Sequence, residues 1–452
     1  MKKATKIIGL TTLVAFTIFN TSCIKKGCTD PTAVNFVKDA HKDDESCFYE
    51  TTNSTNKIVQ GTITQNTTWT SDKIYELKGK VVVDNGATLT IEAGTIIKGQ
   101  EGSGTNASAL IIARGAKIIA EGTETNPIIF TSVLDNIQKG ELLGTNLDEG
   151  DNGKWGGLII LGKAPISAGD GDTETQIEGV PATEAYGTFG GNQPNDNSGV
   201  LSHISIRHGG ALIGAGNEIN GLTLGGVGAG TVIDNIEIIA TLDDGVEFFG
   251  GTVNVSNLVV AFQGDDGIDI DMNYAGTINN FAVIHGINTD EGLEIDGPEG
   301  ITNTNGLFTL SNGTIKTIDG IGTGADFKSK AQGTINNVSW LGYTGKVVKI
   351  RTSYSDTLNC VDKEDAYAHL SGSNPTLVFN NTQVIGNTTL GTAINVYTKS
   401  YQSSANDNCT NFRDTQAESI LSTGGVSIEN ISSTGVNTAT FSWTWSALTS
   451  KL

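Results

Sequence analysis

Residues 230–236 read GTVIDNI, and the chain returns to this pattern at GTVNVSNL (251–258), GTINNFAVI (276–284), GITNTNGL (300–307) and GTINNVSW (333–340). The starting glycines are 21, 25, 24 and 33 residues apart. Repeats in the twenties are too short for propeller blades or immunoglobulin-like domains. They fit one coil each of a right-handed parallel β-helix, and the longest step predicts a loop inserted after Gly300.

Short apolar runs of the same kind precede these repeats. They are VVVDNGATLTIEAGTIIKG (81–99), ALIIARGAKIIAEGT (109–123), PIIFTS (127–132) and WGGLIILG (155–162). The spaces between them are too short for helical crossovers between parallel strands. With 58 Gly, 7 Pro and 2 Met in 452 residues, the composition also favours an all-β protein. We therefore predict a solenoid of roughly a dozen coils over residues 61–409, filled by ladders of Val, Ile, Leu and Phe.

Three segments depart from the coil pattern. Residues 133–154 and 164–197 are long polar insertions, and long loops on solenoids often carry recognition. Residues 410–452 are predicted to close the helix, because Phe441, Trp443 and Trp445 alternate like a strand that covers the last coil.

The N-terminus resembles a secretory signal. Three lysines precede the apolar run 7–19, which is too short to span a bilayer. The following FNTSC (19–23) is similar to the lipobox of bacterial lipoproteins, which implies cleavage after residue 22 and a lipid on Cys23. Residues 23–60 are then the anchor, a small acidic module and a linker.

Four cysteines remain beside Cys23, an even number that suits disulfides in an oxidising compartment. Three connectivities are possible. Proximity in the sequence favours Cys28 with Cys47, which would close the N-terminal module, and Cys360 with Cys409.

The formal net charge is −21, from 28 basic and 49 acidic residues. This balance argues against nucleic acid or an anionic membrane surface as a partner. It favours cations and neutral or cationic ligands.

Five later segments align as one strand repeated on successive coils: DDGVEFFGG (243–251), GDDGIDIDMN (264–273), NTDEGLEIDGP (288–298), GADFKSK (324–330) and VVKIRTS (347–353). The inward positions are predicted to be Phe248, Ile270, Ile295, Phe327 and Ile350. Alternation in a strand then points two neighbouring rows outward. One row contains Glu247, Asp269, Glu294, Asp326 and Lys349, and the other contains Phe249, Asp271, Asp296, Lys328 and Arg351.

Like charges stacked in register repel by about 1 kcal/mol per pair in water at 4 Å. Bound Ca²⁺, a shared proton, or the basic residues at the end of the rows could compensate. We therefore expect a ligand-binding groove formed by the charged residues of both rows. Asp244, Asp266 and Glu291, in the turns before the strands, are the expected Ca²⁺ ligands.

A catalytic alternative remains open. GDDG (264–267) and NTDEG (288–292) are similar to motifs of polygalacturonases, in which paired carboxylates activate water and protonate the leaving group. The motif order is reversed, and KIRT (349–352) only approximates a third motif. If the protein is an enzyme, a polysaccharide lyase or hydrolase, its catalytic residues are expected among Asp266, Asp269, Asp271, Glu294 and Arg351.

Several further stretches together resemble a group of Bacteroidetes surface lipoproteins with a pectate-lyase-like β-helix. They are NGATLTIEAGTIIKG (85–99), GTETNPIIFTS (122–132), GKWGGLIILGKAPI (153–166), NGLTLGGVGAGT (220–231) and DDGVEFFGGTVN (243–254). The resemblance implies a β-helical outer-membrane lipoprotein but no particular activity. We expect a binding or accessory role, toward glycans or outer-membrane proteins, with a structural or adhesive rod as a further alternative. Cell-surface and periplasm-facing orientations both stay open.

Overall fold

A computed structural model describes residues 25–31, 33, 36–44, 46, 56–214, 217–356, 359, 361–386, 389–398 and 407–452. The chain divides into two compact units, Met1–Ser54 and Thr55–Leu452. In the first, Cys28 is buried and disulfide-bonded. Cys23, Cys47 and Cys360 and the side chain of Cys409 lie outside the described residues, so the lipid site and the disulfide pairing stay predictions.

The described part of the second unit contains 31 strands. The first twelve are β1 (Asn56–Ile63), β2 (Thr67–Trp69), β3 (Ile74–Val83), β4 (Thr88–Ile91), β5 (Ile96–Gly99), β6 (Ala109–Ile112), β7 (Lys117–Glu121), β8 (Ile128–Ser132), β9 (Leu158–Leu161), β10 (Glu174–Gln176), β11 (Thr188–Gly190) and β12 (Gly199–Arg207). The next ten are β13 (Ala211–Gly214), β14 (Asn217–Ile219), β15 (Leu222–Gly225), β16 (Val232–Ile239), β17 (Val246–Phe249), β18 (Asn254–Ala261), β19 (Ile268–Asp271), β20 (Thr277–Ile284), β21 (Leu293–Ile295) and β22 (Phe308–Lys316). The last nine are β23 (Ala325–Phe327), β24 (Gly333–Leu341), β25 (Val348–Thr352), β26 (Tyr354–Asp356), β27 (Val361–Asp362), β28 (Leu377–Asn380), β29 (Thr382–Ile385), β30 (Ile394–Thr398) and β31 (Val426–Glu429).

Helices are few, and all except the one at Asp407–Gly424 are only four to six residues long. The α-helices are α1 (Ala366–Ser371), α2 (Leu390–Ala393), α3 (Asp407–Gly424) and α4 (Trp445–Leu448). Single 3₁₀ turns occupy Gly104–Asn106, Ala185–Gly187 and Thr438–Phe441.

Twenty-five strands join through parallel pairings into one continuous sheet that winds into three faces. Sheet 1 contains the C-terminal parts of β1 and β3, then β6, β9, β15, β17, β19, β21, β23, β25 and β30. Sheet 2 contains β2, β4, β7, the N-terminal parts of β12, β16, β18, β20, β22 and β24, and β28. Sheet 3 contains the N-terminal parts of β1 and β3, then β5, β8, the C-terminal parts of β12 to β24 in the same order, β29 and β31. The predicted fold class, a right-handed parallel β-helix, is confirmed.

One side of every strand faces the interior, as the alternation requires. On sheet 1 the stacked inward side chains include Phe248, Ile270, Ile295, Phe327 and Ile350, which pair in register and belong to a single apolar core. Their inward orientation is the one predicted. Burial of such ladders is the main stabilising term, at roughly 25 cal/mol per Å² of apolar surface.

Asparagines form the corner between sheets 2 and 3. Asn235, Asn257, Asn280, Asn312 and Asn337 all have φ between 54° and 58°, in the left-handed region that asparagine tolerates better than most residues. Their amides bond from coil to coil, for example Asn280 Nδ2 to Asn257 Oδ1 at 2.7 Å. The backbone bends here without a break in the strand, which lets one long strand serve two faces.

The register corrects one predicted repeat. Thr277 pairs with Thr309, and Phe308 with Gly333, so the coil after Gly276 has its strand at Phe308–Lys316. Gly300 therefore lies in a turn, and the extra loop precedes β22 rather than following it. GITNTNGL begins with glycine like the other repeats but forms no strand.

The C-terminal segment also differs from the expectation. Helix α3 packs against β28, β30 and β31 at the end of the solenoid, whereas Phe441, Trp443 and Trp445 lie in and beside short helical turns. Phe441 packs on Val259 and Ala282, and Trp445 on Ala261 and Phe262. Residues 430–452, the C-terminal strap, thus return along the outer surface of sheet 3 instead of covering the last coil as a strand.

Candidate ligand-binding face

The charged rows lie on the outer surface of sheet 1, which we call the acidic face from β17 to β25. Glu247 pairs with Asp269, Asp269 with Glu294, Glu294 with Asp326, and Asp326 with Lys349. The first row therefore stacks in the register read from the sequence, on coils about 4.8 Å apart. In the second row, the strand pairing covers Phe249 and Asp271.

Upstream of the acidic face, the same outward positions are apolar. Val82, Ile111 and Ile159 occupy them on β3, β6 and β9. The second insertion covers them with Ile166, Ile177, Val180 and Phe189, and these residues form a second apolar cluster outside the solenoid. The insertion is therefore packed on sheet 1 and ends at the first carboxylates of the acidic face.

In the downstream half of the acidic face, from β21 to β25, basic side chains of the same chain neutralise the carboxylates. Arg351 donates to both carboxylate oxygens of the fully buried Asp326, from Nε at 3.0 Å and from Nη2 at 2.6 Å. Lys349 Nζ lies 2.6 Å from Glu291 Oε1, and Lys328 binds Glu294 and lies 3.2 Å from Asp296. Burial alone would lower the pKa of Lys328, but Asp296 and Glu294 raise it above its ordinary value.

In the upstream half, on β17 and β19, no lysine or arginine of the described residues forms an ion pair with a carboxylate. Asp244, Glu247 and Asp269 are all buried, and their carboxylate oxygens lie within 4.8 Å of one another. Burial, followed by the neighbouring carboxylates, raises the pKa of all three well above the usual range. These three carboxyl groups can lie this close together only if they are protonated or if a cation binds to them.

Two covering segments add further acids to this half. Burial and nearby carboxylates raise the pKa of Glu178, in the second insertion, to about 7. The same causes raise the pKa of Asp243 to about 8, with Glu218 of the β13–β14 hairpin and Glu178 as its nearest charges. Asn220 Nδ2 donates to Glu247 Oε2 at 2.5 Å.

Sequence reasoning missed Glu178, Glu218 and Asn220. None shares the strand pattern, and only the folding of the insertion and hairpin brings them to the face. Asp243 and Asp265 carried a usable signal, since each precedes a predicted turn residue in DDG (243–245 and 265–267).

The expected Ca²⁺ set is arranged differently. Asp244 Oδ1 accepts the amide of Asp266 at 2.9 Å, and Asp266 Oδ1 accepts the amide of Glu291 at 2.7 Å. Glu291 is in turn bound by Lys349. These carboxyl groups therefore connect successive turns by hydrogen bonds. Of the three, only Asp244 belongs to the converging group with Glu247 and Asp269.

The residues named for catalysis do not form an open group. Asp266 and Asp269 are 3% and 8% exposed. Glu294 is bound by Lys328, and Arg351 is held by Asp326. Burial and neighbouring acids raise the pKa of Asp266 to about 11, which suits a structural carboxyl group rather than an ionised base.

Two histidines near the turns are occupied within the fold. A ring nitrogen of His208 lies 2.7 Å from the carbonyl oxygen of Asp151. His285 Nε2 lies 3.0 Å from the hydroxyl of Tyr343. Both arrangements are structural contacts.

The fold and this face define a solenoid with one charged outer surface, and residues 61–419 match the family model described as a pectate-lyase-like β-helix domain. The chain belongs to that family. No curated protein and no solved structure matches it significantly. Membership is compatible with carbohydrate-related and with structural roles.

Proposed function

We propose that the protein is an exported, lipid-anchored binding protein for neutral glycans, and that the downstream half of the acidic face is its binding surface. The observation that carries this proposal is the set of fixed charges on β21, β23 and β25. Glu294, Lys328, Lys349 and Arg351 each have a side chain 21–27% exposed and are held by the ion pairs described above.

This surface suits a polyhydroxylated ligand. Carboxylates and cationic groups lie side by side there as acceptors and donors, on coils about 4.8 Å apart. The ion pairs hold the groups in place before binding, which reduces the entropy lost on association. With their partners Glu291, Asp296 and Asp326, these four residues make up four acidic and three basic groups, and the protein as a whole is strongly acidic, so polyanionic glycans fit less well.

Export is supported by two observations. Residues 1–22 have the composition of a signal sequence, and a disulfide at Cys28 fits an oxidising compartment. Among the described residues, no helix has the length and hydropathy to cross a membrane. We propose attachment to the outer membrane through a lipid on Cys23. Incorporation of labelled palmitate that is lost in Cys23→Ala tests this attachment, and labelling that persists would contradict it.

Glycan binding is tested on the domain that begins after Cys23, with a panel of neutral and uronic-acid polysaccharides in affinity electrophoresis. We expect retardation by a neutral polysaccharide. The double variant Lys328→Gln, Glu294→Gln removes both charges of one ion pair and should weaken binding by about tenfold or more, or about 1.4 kcal/mol. Lys73→Gln, Asp72→Asn, which removes an exposed pair elsewhere, is the matched control and should bind normally.

Two results would overturn the proposal: no binding to any neutral polysaccharide, or binding that the Lys328, Glu294 variant leaves unchanged. Reducing and unsaturated sugar ends are measured in the same samples. Their formation would replace the binding function with an enzymatic one.

A further inference from the structure

The upstream half of the acidic face gathers oxygen ligands from separate parts of the chain. Asp244 lies in the turn before β17, Glu247 lies in β17 and Asp269 in β19, and their oxygens converge within 4.8 Å. Glu178 comes from the second insertion and forms a side-chain hydrogen bond with Glu247. Asn220, just before β15, contacts Glu247 at 2.5 Å and Glu178 at 3.5 Å.

Two buried oxygens in this group lack a partner. Among the described residues, Asp269 Oδ1 and Asn220 Oδ1 make no hydrogen bond, although the residues are only 8% and 0% exposed. A buried acceptor without a donor costs about 1–3 kcal/mol. The amide of Asn220 is independent of the acidic residues, and its nitrogen already donates to Glu247, so its oxygen is left to accept from, or bind, something else.

No basic side chain of the described residues forms an ion pair with this group, although Lys328 acts on Asp269 electrostatically. The charges that act most strongly on Asp244, Glu247 and Asp269 are other carboxylates. The nearest basic residue of the neighbouring rows, Lys328, is engaged by Glu294 and Asp296. The insertion nevertheless places another carboxylate, Glu178, against the face, which would repel it if the group were ionised and unbound.

We propose that a divalent cation of the Ca²⁺ type binds here and fastens the second insertion to sheet 1. Asp244, Glu247, Asp269 and Asn220 supply oxygens from the solenoid, and Glu178 supplies one from the insertion. An all-oxygen set with several carboxylates is what a hard cation prefers, and Ca²⁺ accepts six to eight such ligands in flexible geometry. The cation replaces repulsion between Glu178 and Glu247 by a shared attraction, so filling the site strengthens the attachment of the insertion, which also packs on sheet 1 through apolar side chains.

The site adjoins the half that we propose binds glycan, since Asp269 pairs with Glu294, but its ligands are different residues, so cation binding and glycan binding can fail separately. Calorimetric titration of chelator-treated protein with Ca²⁺ should show one saturable site, and Mg²⁺, which demands stricter octahedral geometry, should bind more weakly. Hydrogen exchange should show that Ca²⁺ slows exchange of the amides in residues 164–197.

Glu247→Gln with Asp269→Asn should weaken Ca²⁺ binding by more than about tenfold. Glu294→Gln with Asp296→Asn removes the same number of carboxylates from the same sheet but no proposed ligand, and it should weaken Ca²⁺ binding much less. Glu178→Gln, which alters only the insertion, should weaken binding and abolish the protection of residues 164–197 by Ca²⁺, and it guards against misfolding of the strand variants.

Absence of saturable Ca²⁺ binding in the unaltered protein would overturn the site. Equal loss of binding in both double variants would show that general negative charge, and not this group, attracts the cation. Binding without any change in exchange of residues 164–197 would overturn the fastening role.

Discussion

Glu247 and Asp269 lie directly opposite each other on adjacent parallel strands, both buried, with carboxylate oxygens within 4.8 Å. Such a pair is stable only with bound protons or a cation. Its position decides how the protein responds to substitutions on the acidic face.

Asp269→Asn should stabilise the metal-free protein. The amide keeps the shape of the carboxyl group but removes one of two facing charges, and the expected gain at pH 8 is on the order of 1–2 kcal/mol. Urea unfolding with a chelator present measures it. Asp72→Asn, an exposed acid, should change little, and a loss of stability in Asp269→Asn would contradict the expectation.

His285 should make the protein less stable at mildly acidic pH. Burial lowers its pKa from 6.5 to about 4, so below pH 6.5 the unfolded chain takes up a proton that the folded chain refuses. Stability from this residue is complete above pH 6.5 and falls as pH drops toward 4, by on the order of 3 kcal/mol.

Unfolding free energies from pH 7.5 to 4.5 check this dependence. His285→Gln should flatten this part of the curve, whereas His41→Gln, at an exposed position in the first unit, should leave it intact. An unchanged slope in His285→Gln would assign the acid sensitivity to other groups.

Asp326→Ala should be strongly destabilising. Asp326 is fully buried and accepts two hydrogen bonds from Arg351, so its removal takes this carboxylate away from a partly buried guanidinium. The expected loss is about 3–5 kcal/mol in denaturant unfolding. Asp72→Ala, which removes an exposed acid paired with Lys73, should have a much smaller effect; similar losses in both variants would contradict this difference.

The strand pattern predicted much of this face, and the physical reason is simple. Ile270 and Phe327 can be buried in the solenoid only if Asp269 and Lys328 point outward, so alternation determines the rows and their register. Glu178 could not be placed in the same way, because its insertion has no periodicity and its position depends on the packing of Ile177 and Val180 on sheet 1.

Two errors have equally local causes. Gly300 begins a segment that looks like a coil start, but the strand of that coil, β22, starts at Phe308 without the usual Gly-Thr pair. The alternating aromatics at Phe441 and Trp443 matched a strand, yet they alternate between short helical turns that dock on sheet 3. Pattern alone does not distinguish these arrangements when a segment has only a few residues.

Asn280 should contribute through both its backbone and its side chain. Its φ is 58°, and its side chain bonds Asn257, the amide of Asn437 and Thr440. Asn280→Ala should therefore cost about 2–3 kcal/mol, whereas Asn280→Gly, which accepts the backbone geometry freely, should recover about 1 kcal/mol. Equal stabilities of the two variants in thermal unfolding would exclude the backbone contribution.

Glu237 should hold the C-terminal strap. Its buried carboxylate accepts the amides of Trp445 and Ser446 at 2.8 and 2.9 Å. Glu237→Ala should speed hydrogen exchange in residues 441–452 by about tenfold or more. Glu124→Gln, which alters an exposed bond to Ser442, should have a much smaller effect, and slow exchange that persists in Glu237→Ala would show that aromatic packing alone holds the strap.

The strap changes how the solenoid can come apart. In a simple stack, each coil touches only its neighbours, so end coils can open while the middle stays folded. Here the chain returns from β31 to β16. On the way, Thr434, Asn437 and Ser446 form hydrogen bonds with residues of β24, β20 and β16. Local repeats become linked by contacts between distant parts of the sequence. Such linkage slows folding, since the strap cannot dock before its coils have formed. It also couples the opening of these coils, so under mechanical force or heating they unfold together and not one by one.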